Sequence, residues 1–265
     1  MPAHEIDYEI KGQELQFVEI ELDPGESAVA EAGSMVWKDP SIEMTTVFGD
    51  GSDDQGGGFM GKLLGAGKRL VTGESLFTTV FTHTGSGKAR VAFGAPVPGS
   101  ILPIDLSQYG GRLICQKDSF LAAAKGVSIG IHFQKRILTG LFGGEGFIMQ
   151  KLEGDGMVFA QMGGTIVERE LRAGEELHVD TGCIAAFTGN VDFDLVSAGG
   201  IKTSLFGGEG LFFARLRGPG HVWIQSLPFS RLAGRMLAAA GPRGGQNRGE
   251  GSALGAFGDL ISGNN

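Results

Sequence analysis

Gly126-Val127-Ser128-Ile129-Gly130 has the G-x-S-x-G spacing in which a sharp strand-to-helix turn presents a nucleophilic serine to a histidine base. That chemistry needs a helix directly after the serine. Here Ile131-His132-Phe133 follows, alternating like a strand, and the segment stands in register with Gly33-Ser34 and Gly182-Cys183, which lack the motif. A repeated turn is therefore preferred to a hydrolase elbow. Gly65-Ala66-Gly67-Lys68-Arg69 carries the Gly-Lys of a phosphate-cradling loop. Arg69 occupies the place of the magnesium-holding hydroxyl, and no earlier loop glycine completes the spacing. Asp50 to Asp54 resembles a calcium loop in composition alone, with Gln55 in place of the turn glycine and Gly61 in place of the bidentate glutamate. The histidines, at 4, 83, 132, 178 and 221, show neither His-x-His nor His-Glu-x-x-His spacing. No metal and no cofactor is expected, and no residue is assigned a catalytic role.

Three acids recur in a shared setting. Glu74, Glu145 and Glu209 sit in Gly73-Glu74-Ser75-Leu76-Phe77, Gly144-Glu145-Gly146-Phe147-Ile148 and Gly208-Glu209-Gly210-Leu211-Phe212, each opening an apolar run. The later two copies share Leu-Phe-Gly-Gly-Glu-Gly, at 141–146 and 205–210. Around a pseudo-threefold axis these carboxylates could converge on a cation. The preferred reading is structural: each acid accepts backbone N–H groups of its own glycine turn. A basic residue precedes each turn, at Lys68, Arg136 and Lys202, and reads as a solvated charge or a salt bridge to the turn acid.

The elements that must hold these residues are short strands. Upstream of each Gly-Glu turn lies a second echo, Pro24-Gly25-Glu26-Ser27, Gln116-Lys117-Asp118-Ser119 and Ala173-Gly174-Glu175-Glu176, followed at a similar distance by Gly33, Gly126 or Gly182. Phe17 to Leu22 alternates apolar and polar residues before such a turn, as a half-buried strand does, and Ile166 to Leu171 before Ala173-Gly174 looks like the same element. Ile101 to Leu106 is their middle counterpart, and its Pro103 suits an edge or a bulge. The fold class is all-β, a threefold internal repeat with a short C-terminal helix. The repeat-built β domain spans 1–225, with units at about 14–93, 99–162 and 164–225. Gly49 to Gly58 is a polar, glycine-rich loop inserted in the first unit.

Beyond Gln225 the period changes. Phe229, Leu232, Ala233, Met236, Leu237 and Ala240 fall at helical spacing, between Pro228 and Gly241-Pro242, giving a helix over 226–240. Arg231 and Arg235 lie one turn apart beside the apolar face, and residues 226–248 hold four arginines and no acid. This helix is the interaction candidate, through Phe229, Arg231, Leu232, Arg235 and Met236, with an anionic membrane or a protein groove as partner. Covering an open end of its own β core is the preferred reading, because the apolar face is short and Ala-rich. The tail 241–265 holds eight glycines and reads as flexible.

Composition bounds the rest. The chain has 265 residues, 42% hydrophobic and 20% charged, which is globular. Its 47 glycines follow no Gly-X-Y period and mark tight turns between strands. A formal charge of −8, with Lys and Arg dispersed, argues against nucleic acid as a partner. No signal peptide or membrane span is visible, and Cys115 and Cys183 stand far apart, so the expected place is the cytoplasm, peripheral to a membrane where the helix docks. Edge strands of such repeats pair between chains, so a homo-oligomer is expected.

Ala30-Glu31-Ala32-Gly33-Ser34-Met35-Val36-Trp37, the Gly73 to Phe77 segment, and above all Gln225-Ser226-Leu227-Pro228-Phe229-Ser230-Arg231-Leu232-Ala233 resemble the family named for the yeast altered-inheritance-of-mitochondria protein 24, over about residues 5–237. The resemblance implies a fold akin to the tryptophan RNA-binding attenuation protein, with β-sandwich units of the double-stranded β-helix type. For mitochondrial relatives it implies a part in inner-membrane organisation. None of its motifs brings a catalytic role. The reading that follows is a non-enzymatic scaffold or interaction protein, acting at the cytoplasmic face of a membrane and supporting membrane or envelope integrity. The alternative is a regulatory protein that holds a small ligand between β units.

Overall fold

The structure, a computed structural model, describes residues 2–31, 33–48, 77–135, 147–197 and 212–240. The strands in chain order are β1 (Asp7–Lys11), β2 (Phe17–Leu22), β3 (Ser27–Glu31), β4 (Met35–Lys38), β5 (Ile42–Phe48), β6 (Phe77–His83), β7 (Ala89–Gly94), β8 (Gly99–Asp105), β9 (Arg112–Gln116) and β10 (Phe120–Ala124). They continue as β11 (Ser128–Lys135), β12 (Phe147–Glu153), β13 (Met157–Gly163), β14 (Ile166–Leu171), β15 (Glu176–Asp180), β16 (Ile184–Thr188), β17 (Asp192–Ser197), β18 (Phe212–Arg217) and β19 (Gly220–Gln225). Helix α1 (Phe229–Ala240) closes the described chain. The protein is all-β with a short C-terminal helix.

The described residues form four antiparallel sheets, ordered β1-β2-β7-β4, β5-β6-β3-β10-β13-β8, β11-β12-β9-β16-β19-β14 and β15-β18-β17. One ordering recurs every six strands: β2-β7-β4 with β5-β6-β3, then β8-β13-β10 with β11-β12-β9, then β14-β19-β16 with β17-β18-β15. The two larger sheets each join neighbouring groups, through β3 against β10 and β9 against β16. The details recur as well. β4 slips register against β7 between Met35 and Trp37, β10 against β13 between Phe120 and Ala122, and β16 against β19 between Ile184 and Ala186. A bulge places one extra residue in the same strand each time.

β2 and β14 cover the residues expected for them, Phe17–Leu22 and Ile166–Leu171. The turns that follow need a left-handed residue, supplied by Gly25 at φ 89° and Gly174 at φ 80°. In both, the turn acid closes the loop. Asp23 N donates to Glu26 Oε2 at 2.8 Å, and Arg172 N donates to Glu175 Oε2 at 3.0 Å.

The middle echo is corrected. Gln116–Ser119 does not occupy the place of Pro24–Ser27; it lies between β9 and β10, where the first group has Gly33 and the last has Gly182. Asp105 starts the true counterpart, accepting from Ser107 N at 2.9 Å ahead of a short 3-10 turn that ends at Gly110. Gly126 accordingly lies one connection later, between β10 and β11, and has no register with Gly33 or Gly182.

Among the described residues three clusters form the core. One, with Val29, Leu106, Leu113, Phe120, Ala186 and Trp223, draws on all three strand groups. Another gathers Ile20, Phe81, Phe93 and Phe159, and the last gathers Phe147, Phe187, Leu195 and Leu216. Burial is therefore shared across the joints between groups rather than confined within each.

Candidate interaction surface

Helix α1 is reached through Gln225-Ser226-Leu227-Pro228, and each residue of that run has a structural task. Gln225 is buried at the end of β19. Its Nε2 donates to Gln116 Oε1 at 3.3 Å and to Gly182 O at 3.2 Å, and its Oε1 accepts from Gly163 N at 2.9 Å. One amide thus bridges three neighbouring segments, which suits a side chain with both donor and acceptor. Ser226 Oγ accepts from Thr165 N at 2.8 Å, and Leu227 N donates to Gly163 O at 3.0 Å. Gly163 admits this approach because any Cβ there would overlap the Leu227 carbonyl. Pro228 O then accepts from Arg231 N and Leu232 N, the first bonds of the helix.

After this fixed first turn the helix stands clear of its own core. Leu232 and Ala233 are half-buried, while Phe229, Met236 and Leu237 are 53%, 63% and 68% exposed. Phe229, Met236 and Leu237 are thus left largely uncovered by the β core. Arg231 and Arg235 are exposed, and Arg231 Nη2 lies 3.7 Å from Asp180 Oδ2 at the end of β15. At that distance and exposure the ion pair orients the side chain and contributes little stability. All five residues predicted for contact, Phe229, Arg231, Leu232, Arg235 and Met236, lie on this helix, which has no acidic residue.

Phe229, Pro228 and Ser230 also border a shallow cleft whose floor holds Gln116, Gln161 and Gln225. It is far smaller than a small-molecule pocket. The equivalent place at the β3–β10 joint holds Glu31, whose carboxyl is pushed up to about 7 by burial, with the Asp118 charge adding to the rise and Lys117 opposing it. Gln161 Nε2 donates to Asp118 O at 2.6 Å nearby. Sequence reasoning did not single out these buried glutamines or Glu31. Their signal was their place at the end of a β9- or β19-like strand, which is visible only once the strands are aligned.

The remaining candidates do not assemble a reaction centre in the described residues. Ser128 begins strand β11 rather than a helix, so the elbow geometry is absent. No three His, Cys, Asp or Glu side chains come together among the described residues. His83 is buried with Nε2 3.0 Å from Gly87 O, a tie to the connection that leads from β6 to β7. His221 pairs with Glu168 at 2.9 Å and stacks near Trp223. Glu74, Glu145 and Glu209, with Lys68, Arg136, Lys202, the Asp50 to Asp54 run and the tail 241–265, lie outside the described residues.

Comparison with known proteins places this architecture. Residues 8–227 match the family described as Mitochondrial biogenesis AIM24. The chain belongs to the AIM24 family. An uncharacterized protein of Streptococcus pyogenes serotype M6 is 31% identical over 229 residues, covering 85% of this chain and 87% of that protein. A crystal structure of a Streptococcus pyogenes protein superimposes with a TM-score of 0.71 at 26% identity, covering 89% of this chain and all of that one. The AIM24 match takes in all the strands but β1's first residue and ends at Leu227, so helix α1 follows the matched residues. Of the run Gln225 to Ala233, the family match holds the anchoring residues Gln225, Ser226 and Leu227. Among the described residues no helix is long and apolar enough to cross a membrane.

Proposed function

We propose that this AIM24-family protein is a non-enzymatic scaffold whose β domain presents helix α1 to an anionic membrane surface at the cytoplasmic face. The observation that carries the reading is the exposure of Phe229, Met236 and Leu237 on a helix that also exposes Arg231 and Arg235 and contains no acid. An apolar face gains by entering the headgroup boundary, and flanking arginines gain from anionic lipid at about 1 kcal/mol each. The rigid attachment through Gln225 and Leu227 supports the same reading, since it fixes where the helix projects. With the wider protein acidic, at a formal charge of −8, orientation on such a surface would fall to this basic helix.

The test is flotation with vesicles containing phosphatidylserine against vesicles of phosphatidylcholine alone. The wild-type chain binds the former and not the latter. Arg231→Glu with Arg235→Glu abolishes binding while the β-type circular dichroism stays unchanged. Equal binding by the double variant overturns the role of the helix.

A further inference from the structure

β4 and β15 each end a sheet, and the places they leave open are complementary. Within the chain, β10 and β16 are the third strands of their groups, and each pairs antiparallel with the second strand of the group before it, β3 or β9. β4 is the third strand of the first group and β15 the second strand of the last. Among the described residues neither has the partner that its counterparts have.

The burial of matched residues shows what is missing. Phe120 and Leu121 in β10, and Ile184 and Ala185 in β16, are all at least 98% buried, being 2%, 0%, 0% and 0% exposed. Their counterparts in β4, Met35 and Val36, are 37% and 56% exposed. The same bulge falls at Val36, Leu121 and Ala185, so the three strands share backbone geometry as well as position. An exposed apolar edge strand is a liability that proteins cover or pair.

We infer that β15 of one chain pairs antiparallel with β4 of a second copy, joining chains head to tail by the contact already used at β3–β10 and β9–β16. The register follows from the inner joints. Ala122 faces Ala30 and Ala186 faces Cys115, which sets Trp37 against Val179. Ala123 faces Val29 and Phe187 faces Ile114, which sets Lys38 against His178. Asp39 then faces Leu177. Hydrogen bonding agrees: Asp39 N donates inward to Arg90 O at 2.9 Å, so alternation turns the Lys38 N–H outward, toward the open edge.

Charge agrees too. Lys38 opposite His178 has Glu176 and Asp180 as its diagonal neighbours, two acids flanking one cation. One bond differs. Lys125 N donates to Ser27 O at 3.0 Å and Gly189 N to Arg112 O at 3.1 Å, closing the inner joints, whereas Pro40 takes that place here and has no N–H. The joint between chains is the weaker one. Because it is heterologous, each added copy leaves the same edge open until a ring closes. This goes beyond the membrane reading and stands without it.

The test uses the full chain with Cys183→Ser, Lys38→Cys and His178→Cys, treated with a short thiol-to-thiol cross-linker and resolved under denaturing conditions. Opposed Cα atoms in such a pair lie about 5.5 Å apart, within the linker's reach. Covalent multiples of the chain are expected, alongside a single discrete oligomer for the untreated protein by native mass spectrometry. Val36→Asp on the same background is expected to remove both, with an unchanged circular dichroism spectrum. Cross-links confined to monomers would mean that the chain closes on itself and would overturn the proposal. An oligomer that forms with no cross-link at this pair, or a monomer at micromolar concentration, overturns it as well. Vesicle flotation of the same variants is a separate readout, so loss of one property leaves the other measurable.

Discussion

Gln225 at the end of β19 and Gln116 at the end of β9 meet amide to amide beside the β9–β16 joint, with Gln225 Nε2 3.3 Å from Gln116 Oε1. The same Gln225 side chain holds Gly163 N and Gly182 O, so three polar groups in a buried place depend on it. Truncation would leave all of them without that partner, and each such loss is worth about 1–3 kcal/mol.

Gln225→Ala is accordingly expected to lower the unfolding free energy by roughly 3 kcal/mol, since the losses at one site overlap rather than add. Urea denaturation followed by tryptophan fluorescence measures this. Amide exchange over residues 226–240 should rise as well, because the anchor of α1 is lost. A change below about 0.5 kcal/mol, the range of ordinary surface substitutions, would show that the bridge carries no stability.

Glu31 makes stability depend on pH in an unusual direction. Its folded-state carboxyl is raised to about 7 from 4.5, so the native state holds a proton there that the unfolded chain has already released. The linkage slope is then negative between these values: stability falls as pH rises from about 4.5 to 7, and the loss is complete above that. Glu31→Gln removes the charge and keeps the shape. At pH 8 it should stabilise the fold by on the order of 2 kcal/mol, with the gain fading toward pH 4.5. Thermal melts of both proteins across that range check it. A gain that is constant with pH would assign the effect to something other than this carboxyl.

Met236 and Leu237 separate surface function from folding. Both are more than half exposed, at 63% and 68%. Met236→Ser with Leu237→Ser should therefore leave the unfolding free energy within about 0.5 kcal/mol of wild type. Burying two such side chains in a membrane is worth roughly 1.5–3 kcal/mol each, so vesicle affinity should drop at least tenfold. Isothermal flotation over a lipid titration reads the shift. Equal affinity would place the binding energy elsewhere on the protein.

Much of the architecture is visible in the residues. β2 has the bounds that alternation over Phe17–Leu22 gives, β14 those of its counterpart Ile166–Leu171, and Pro103 lies in β8, at the end of its sheet. α1 ends at Ala240, just before Gly241-Pro242. What escaped was the phase of the middle group. Gln116–Ser119 resembles the acidic turns in composition, yet a short turn sequence does not say which two strands it joins. The joints between groups were also hidden, because buried glutamines look like surface residues until their partners are known. Exposure of α1 is a tertiary fact of the same kind: an apolar stripe says that a helix has a face and leaves open what, if anything, covers it.

The long-range joints also set a timetable for synthesis. Gln116 cannot meet its amide partner until the chain has grown by the 109 residues that separate it from Gln225, and β9 waits for β16 over the earlier part of that growth. At about 5–20 residues per second, the ribosome takes on the order of 5 to 20 s to cover that distance. For the earlier part of that interval the nascent chain carries an apolar strand whose neighbour has not yet been made. The period of greatest exposure to aggregation thus falls during translation, and a slow stretch of codons between β10 and β16 would lengthen it.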